Sequence, residues 1–170
     1  MTDPVLREAG TTDRAAIEAI ARAAYAIYLP RLGRAPAPML QDFEAPIAAC
    51  HVRIALIDEG LAGYALRFPK AGAMFIENIA VHPKWQGHGI GRCLLADAEH
   101  AARAAGLQRI ALYTNEVMTE SQRFYRRLGF LETDRRCEDG FDRVYLAKSL
   151  DPGETALAPP REDRGGERGG

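Results

Sequence analysis

Cysteine is scarce in this chain: Cys50, Cys93 and Cys137 are the 3 in 170 residues, odd in number and far apart. That excludes a disulfide framework and a CxxC metal site, and reduced thiols are expected. Histidine is as thin, and His51, His82, His88 and His100 lack the spacing of metal ligands, so no metal is expected. Charge of neither sign dominates: 22 Lys+Arg stand against 23 Asp+Glu, a net charge of -1. Such a balance gives no general attraction for a polyanion, so nucleic acid is not expected as a partner, while a local anion site stays open. No apolar run is long enough to cross a bilayer and no basic-then-apolar segment follows Met1, so a cytoplasmic protein without a membrane partner is expected.

What is present is 47% apolar and 26% charged residues, enough for one domain with a proper core. That domain is expected to span residues 1–150. Residues 151–170, "DPGETALAPPREDRGGERGG", have almost nothing to bury and read as a disordered tail.

Residues 4–10 read as a short strand, and Thr12 or Asp13 can cap a helix running to about Tyr28. Pro30, Gly33, Pro36 and Pro38 then break regular structure, with a second short helix expected over 41–49. Two β-rich runs around Asp58-Glu59-Gly60 give a hairpin, and "AMFIENIAVHP" a third strand that stops at Pro83. A helix from about Gly89 to Ala105 ends at Gly106, and "RIALYTN" is a strand. Thr119 and Gln122 form a capping-box pattern that opens a helix stopped by Gly129, and a last hairpin turns at Asp139-Gly140. Strands with helices inserted between them predict an α+β, mixed α/β sheet covered by helices.

The informative stretch is "VHPKWQGHGIGRCLL". A strand that ends in a glycine loop and opens a helix points several backbone N–H groups outward at the positive end of the helix dipole, which makes an anion site. Glycine at 87, 89 and 91 removes Cβ atoms that would hold a diphosphate away, and Arg92 adds a charge in the first turn. A P-loop needs Gly-Lys-Ser/Thr, but Gly91 is followed by Arg92-Cys93; GxGxxG also fails, with Arg92 or Leu94 in the third position.

The spacing that does match is Gln-x-x-Gly-x-Gly, as Gln86, Gly89 and Gly91, after a strand ending "AVHP". It resembles the coenzyme A pyrophosphate loop of the GNAT superfamily of N-acetyltransferases. "SQRFYRRLGF" resembles that superfamily's short helix, with Phe124-Tyr125 and then Gly129-Phe130, and together the segments cover roughly residues 74–150. The resemblance implies the GNAT fold: a central twisted, mostly antiparallel sheet with a splayed strand pair, flanked by helices. It implies acetyl-CoA as cosubstrate, with pantetheine bonded to main chain at Ile79, Ala80 and Val81, in a gap opened by a bulge. The diphosphate would lie on Gln86, Gly87, His88, Gly89, Ile90, Gly91 and Arg92. Many members carry an Asn where this chain has Met118, and Asn115 is expected to substitute.

Acyl transfer from a thioester needs an amine stripped of its proton, an oxyanion donor, and a proton for the departing thiolate. Glu77, in "FIENIAV", is the candidate base, acting through water, because residues two and four apart share a strand face with Val81. The alternative is a hydrogen-bonded structural carboxylate. Tyr125 is the candidate acid, since the family places the matching hydroxyl beside the coenzyme A sulfur, and the N–H near Val81 is the expected oxyanion donor. Cys93 falls in an apolar run with Ile90, Leu94 and Ala98 and is read as packing rather than as a nucleophile. For the acceptor, Tyr25, Tyr28, Arg31, Arg34 and Met39 form a candidate aromatic pocket with a guanidinium for a substrate carboxylate, or else merely pack and solvate the segment.

The expected activity is transfer of an acetyl group to a primary amine of a small molecule, by direct attack in a ternary complex. A peptide or protein N-terminus or lysine is the alternative acceptor, and a noncatalytic acyl-CoA-binding module the alternative of another class. A homodimer is left open.

Overall fold

The apolar residues at positions 17, 20, 21 and 24 recur at helical spacing, and they fold as α1 (Arg14–Tyr25) with Ile17, Ile20 and Ala21 buried. The computed structural model describes residues 2–151. The expected C-terminal tail therefore lies, beyond Asp151, outside the described residues. After α1 the chain makes a 3-10 turn over Ala26–Tyr28 and a second helix, α2 (Leu29–Leu32), closed by Gly33 at φ +69°. Pro30, expected to break this stretch, instead sits in the first turn of α2, where a missing N–H costs nothing. A 3-10 turn over Ala37–Leu40 and α3 (Glu44–Ala48) complete the N-terminal segment.

Seven strands form one sheet: β1 (Val5–Glu8), β2 (Val52–Ile57), β3 (Gly60–Lys70), β4 (Ala73–Val81), β5 (Arg109–Asn115), β6 (Leu131–Glu138) and β7 (Phe141–Ser149), in the order β1-β2-β3-β4-β5-β7-β6. Every neighbouring pair is antiparallel except β4 and β5. Successive β2 residues face opposite cores. Ile54 packs with Ile17, Ile20 and Phe43 under α1 and α3, whereas Ala55 packs with Ile90 and Leu94. The latter belong to α4 (Ile90–Ala104), whose buried stripe Ile90, Leu94, Leu95, Ala98 and Ala102 covers the other face. Its three larger side chains contribute about 2 kcal/mol each relative to exposure.

The last helix, α5 (Thr119–Arg127), lies over the same face, with Tyr125 in the cluster of Leu95, Leu112 and Phe130. The capping box expected at Thr119 is not formed. Met118 takes the N-cap position, and the Gln122 side chain donates instead to the carbonyls of Asn115 and Glu116, at 3.1 and 3.0 Å, tying α5 to the end of β5.

The break that matters is in β4. Its first residues, Ala73 to Ile76, are buried throughout, as suits a strand covered on both faces. Here β4 pairs with β5 at Met74↔Ile110, Phe75↔Ala111 and Ile76↔Leu112, and the parallel ladder then stops although both strands continue. On the other edge Leu66 pairs with Asn78 and Arg67 with Ile76, which leaves Glu77 without a partner. This is a β-bulge. The bulge expected near Val81 is found at Glu77, because Ile76 and Ile79 both pack toward α4 and α5, so two residues rather than one must fit between them. The parity argument placing Glu77 on the face of Val81 fails for the same reason.

Arg53 of β2 and Arg67 of β3 both donate to the Asp97 carboxylate of α4, the closest contact being 2.7 Å. Burial alone would raise the Asp97 carboxyl, but hydrogen bonds from Arg53 and Arg67 and their charges outweigh it and hold it below its ordinary value. Asp97→Asn is expected to lower unfolding stability by about 2 kcal/mol in urea titrations, since it strands two half-buried guanidiniums. Because the folded carboxyl ionises below its unfolded value, the wild-type advantage is complete above about pH 5 and is lost as pH falls through the folded value. A D97N variant as stable as wild type at neutral pH would remove the triad from the account of stability.

Candidate active site

Where β4 and β5 part, they leave a cavity of about 660 Å³ that passes between them and reaches both faces of the sheet. Its walls on the α4 side include the loop after β4 and α5; on the α1 side they include Tyr25, Tyr28 and the turn Pro36 to Pro38. Ladder geometry fixes which main-chain groups enter it. The His82 N–H donates to Ala62 at 2.8 Å, so Ala80, two residues before, also turns its main chain to β3, while Ile79 and Val81 turn theirs into the gap. The Ile79 carbonyl accepts from the Tyr25 hydroxyl at 2.8 Å, and the Val81 carbonyl from the Gln86 side chain at 3.1 Å. Their N–H groups face a gap with no strand.

At the α4 side, Gly87 and Gly89 adopt φ +79° and +83°. An L side chain would be strained there, and a Cβ at either would meet open space. Gly89 is the N-cap of α4, and the Cys93 N–H makes the first bond back to its carbonyl at 3.0 Å. The N–H groups of Gly89 to Arg92 therefore have no intrahelical acceptor and form an anion cradle at the dipole's positive end. Arg92 and Arg127 line this end, and neither makes an ion pair among the described residues.

Tyr125 stands where the two halves of the cavity meet. Its ring is held against Phe124 and Phe130, at centroid distances of 5.4 and 5.7 Å, and its hydroxyl has no protein hydrogen-bond partner among the described residues. Burial, with Tyr28 nearby, pushes the phenol well above its ordinary value, so it is a fully protonated donor at neutral pH. Tyr25 is raised in the same way by burial, then by Tyr64, Tyr125, Tyr28 and Tyr113. On the α1 side Glu77 is half-buried, lines the cavity, and makes no hydrogen bond or ion pair among the described residues. Its charge reaches the Tyr113 phenol, which burial raises first and Glu77 raises further against the lowering effect of Arg143.

A protein-family model described as the acetyltransferase (GNAT) family matches residues 15–130, spanning both the splay and the anion loop. The chain belongs to the GNAT acetyltransferase family. It is 38% identical over 78 residues to an aminoglycoside N(6')-acetyltransferase type 1 of Stenotrophomonas maltophilia, an overlap of 46% of this chain and 46% of that protein. The chain thus spans less than half the length of the curated relatives it matches. Among solved structures, a PaiA N-acetyltransferase of Thermoplasma acidophilum in complex with coenzyme A superposes with a TM-score of 0.73 at 18% identity, covering 87% of this chain and 99% of that one. The ribosomal-protein-S18-alanine N-acetyltransferase of Escherichia coli gives 0.67 at 20% identity, over 91% and 99%. At these identities the likeness is one of fold.

Within this GNAT domain the structure gathers most of the residues singled out from the sequence around one cavity. Glu77, Ile79, Ala80, Val81 and Tyr125 line it, as do Gln86, Gly87, Gly89, Ile90, Gly91, Arg92, Asn115, Tyr25 and Tyr28. Others it does not. Arg31, Arg34, Met39 and the His88 side chain lie off the cavity, as does Cys93. The Arg31 guanidinium is held by both carboxylate oxygens of Glu120 at 2.7 Å, and Arg34 faces the β6–β7 turn, stacked 3.6 Å over the Phe141 ring. His88 turns its ring to the Gln86 carbonyl at 3.0 Å, leaving only its main chain to the loop. Gly91 has a further job. A Cβ there would come within 3.3 Å of Phe124 and 3.7 Å of Val81, so its bareness also lets α4 close on α5 and β4.

Sequence reading missed Asn78, Tyr113, Phe124, Phe141 and Arg143. Asn78 is 3% exposed, accepts from the Tyr64 hydroxyl at 2.8 Å and donates to the Pro38 carbonyl at 3.3 Å. Its signal was present as a second polar residue beside Glu77 in an otherwise apolar strand. The single tryptophan, Trp85, also lines the cavity beside the loop. Coenzyme A is therefore expected to change its fluorescence saturably, and Gly89→Ala to weaken that titration roughly tenfold, from strain at positive φ. An unaltered midpoint would separate the loop from coenzyme binding.

Proposed function

We propose that the protein transfers the acetyl group of acetyl-CoA to a primary amine of a small molecule, by direct attack in a ternary complex. The observation that carries this reading is the single cavity through the sheet, with a main-chain anion cradle on one side and an aromatic wall with one free carboxylate on the other. A thioester carrier laid along the first side brings its acyl carbon to the splay, and an amine reaches it from the second. The family, and the coenzyme A held by a structural neighbour, support the donor. The aminoglycoside acetyltransferase among its relatives supports a small-molecule acceptor.

In this mechanism one of the N–H groups of Ile79 and Val81 bonds a pantetheine amide as a missing strand would, leaving the other for the thioester oxygen, and the loop N–H groups of residues 87–92 take the diphosphate. The thioester oxygen needs an N–H donor as it gains charge, and the free main-chain amides of β4 supply one. The amine nitrogen attacks, and its proton passes through water to Glu77, which has no other partner to satisfy. The C–S bond breaks and Tyr125, protonated because burial disfavours its anion, donates to the departing sulfur. Asn115, with its side-chain oxygen occupied by the Val117 N–H at 3.0 Å, turns the rest of its amide to the cavity, where it can meet the carrier.

Thiol release is expected when a panel of amines, including putrescine, spermidine, tyramine and kanamycin, is incubated with acetyl-CoA. Tyr125→Phe should lower kcat by about a hundredfold with little change in coenzyme affinity, the usual scale for losing a positioned acid. Glu77→Gln should flatten the acidic limb of the pH-rate profile, and an unchanged limb would leave Glu77 a structural role. Tight acetyl-CoA binding with no thiol release from any amine would instead favour a binding module.

A further inference from the structure

The chain from Tyr28 to Pro38 crosses the acceptor side of the splay, and it is tied to a different element at each of three places. At its start, Arg31 bonds Glu120 through two 2.7 Å contacts and the Val117 carbonyl at 3.1 Å, all at the beginning of α5, and Tyr28 meets Ser121 at 3.4 Å. In its middle, Arg34 donates to the Asp139 carbonyl at 2.8 Å and lies over Phe141, reaching the β6–β7 turn. Gly140, at φ +75°, leaves room for it: a Cβ there would come within 3.0 Å of the guanidinium. At its end, the Pro38 carbonyl accepts from buried Asn78 in β4.

These ties are unequal. The Asn78 side chain is buried, and its part-buried 3.3 Å bond to Pro38 belongs to a network closed by Tyr64, so releasing it would leave a buried amide unpaired. The arginine ties lie in solvent, with Arg31 and Glu120 side chains 39% and 51% exposed, where ion pairs are weak. Between fixed and weak edges lie Tyr28, Pro36 and Phe141, which wall the acceptor end of the cavity.

We propose that residues 28–38 are a strap whose weak fastenings, Arg31 and Arg34, set the size of the amine the cavity admits; this rests on the acceptor side assigned above. Joined to α5 and to the β6–β7 turn, the strap leaves no open-ended groove for an extended polypeptide. A compact amine fits beneath it, and a larger one requires the arginine edge to lift about the Asn78 edge. Arg31 and Arg34, offered by the sequence as carboxylate ligands, act on the acceptor by limiting its size.

The test uses the full chain and two variants, Arg34→Ala and Arg34→Ala with Glu120→Gln, which frees Arg31 without leaving a bare carboxylate. Thiol release is measured with putrescine, tyramine, kanamycin and an octapeptide with a free N-terminus. The expected result is a roughly fivefold rise in kcat/KM for kanamycin or the octapeptide relative to the smallest amine turned over, the scale of one weak ion pair and one stacked cation, with KM for acetyl-CoA unchanged. An unchanged ratio, or a wild type that takes the octapeptide as readily as the small amines, overturns the proposal. Hydrogen exchange gives a readout independent of turnover: amides of residues 28–38 should exchange faster in the double variant while those of α4 do not. Equal protection overturns the strap even if acetyl transfer is established, whereas a wild type inert toward every amine removes the acceptor reading itself.

Discussion

The parallel ladder between β4 and β5 ends at Ile76 and Leu112, and main-chain groups beyond it have no strand to bond. An unpaired buried backbone group costs about 1–3 kcal/mol, so a fold that opens its own sheet must answer for each one. Here the answers differ by group. The carbonyls of Ile79 and Val81 are taken by Tyr25 and Gln86, while the N–H groups at the same residues are left to the cavity. A site that satisfies its acceptors and keeps its donors free selects a ligand rich in acceptors, and a chain of amides ending in a diphosphate is such a ligand.

Keeping the gap open is a packing problem solved on both faces. Ile76 and Ile79 both enter the α4–α5 core, which forces Glu77 and Asn78 into the interval and bulges the strand. Asn78 then has a buried amide to satisfy, and it does so on Tyr64 and Pro38, fixing the turn that walls the α1 side of the cavity. On the other face Gly91 allows the start of α4 to approach Phe124, so the anion cradle and Tyr125 ride on two helices in direct contact. Bulge, wall and Tyr125 are thereby positioned by one set of contacts.

Much of this is legible in the residues. Strand and helix order follows from periodicity, and the anion loop from Gln86, Gly89 and Gly91 with the helix after them, because these are local signals. The position of the bulge escapes the alternation rule, which holds only up to the break, although Ile-Glu-Asn-Ile departs from period two and announces it. Arg31 and Arg34 mislead for another reason. A guanidinium near an aromatic-rich loop looks available for a ligand until its partners are known, and Glu120, Asp139 and Phe141 lie far along the chain. The Thr119 cap fails similarly, since the end of β5 supplies Gln122 with better partners than its own helix.

Those distant pairings also decide the electrostatics of the cavity. Glu120 is paired with Arg31, and Arg143 with Glu138 at 2.8 Å, so of the two carboxylates that line the cavity Glu77 alone is unpaired among the described residues, while Arg34, over Phe141, remains a cation at the edge of that side. On the opposite side the free N–H groups of the loop, Arg92 and Arg127 are uncancelled. Unpaired positive charge and free N–H groups are therefore concentrated at the loop end of the cavity, and Glu77 lies toward the other. An anionic carrier is drawn to that mouth, and a chain laid along the cavity from it reaches the splay beside Tyr125.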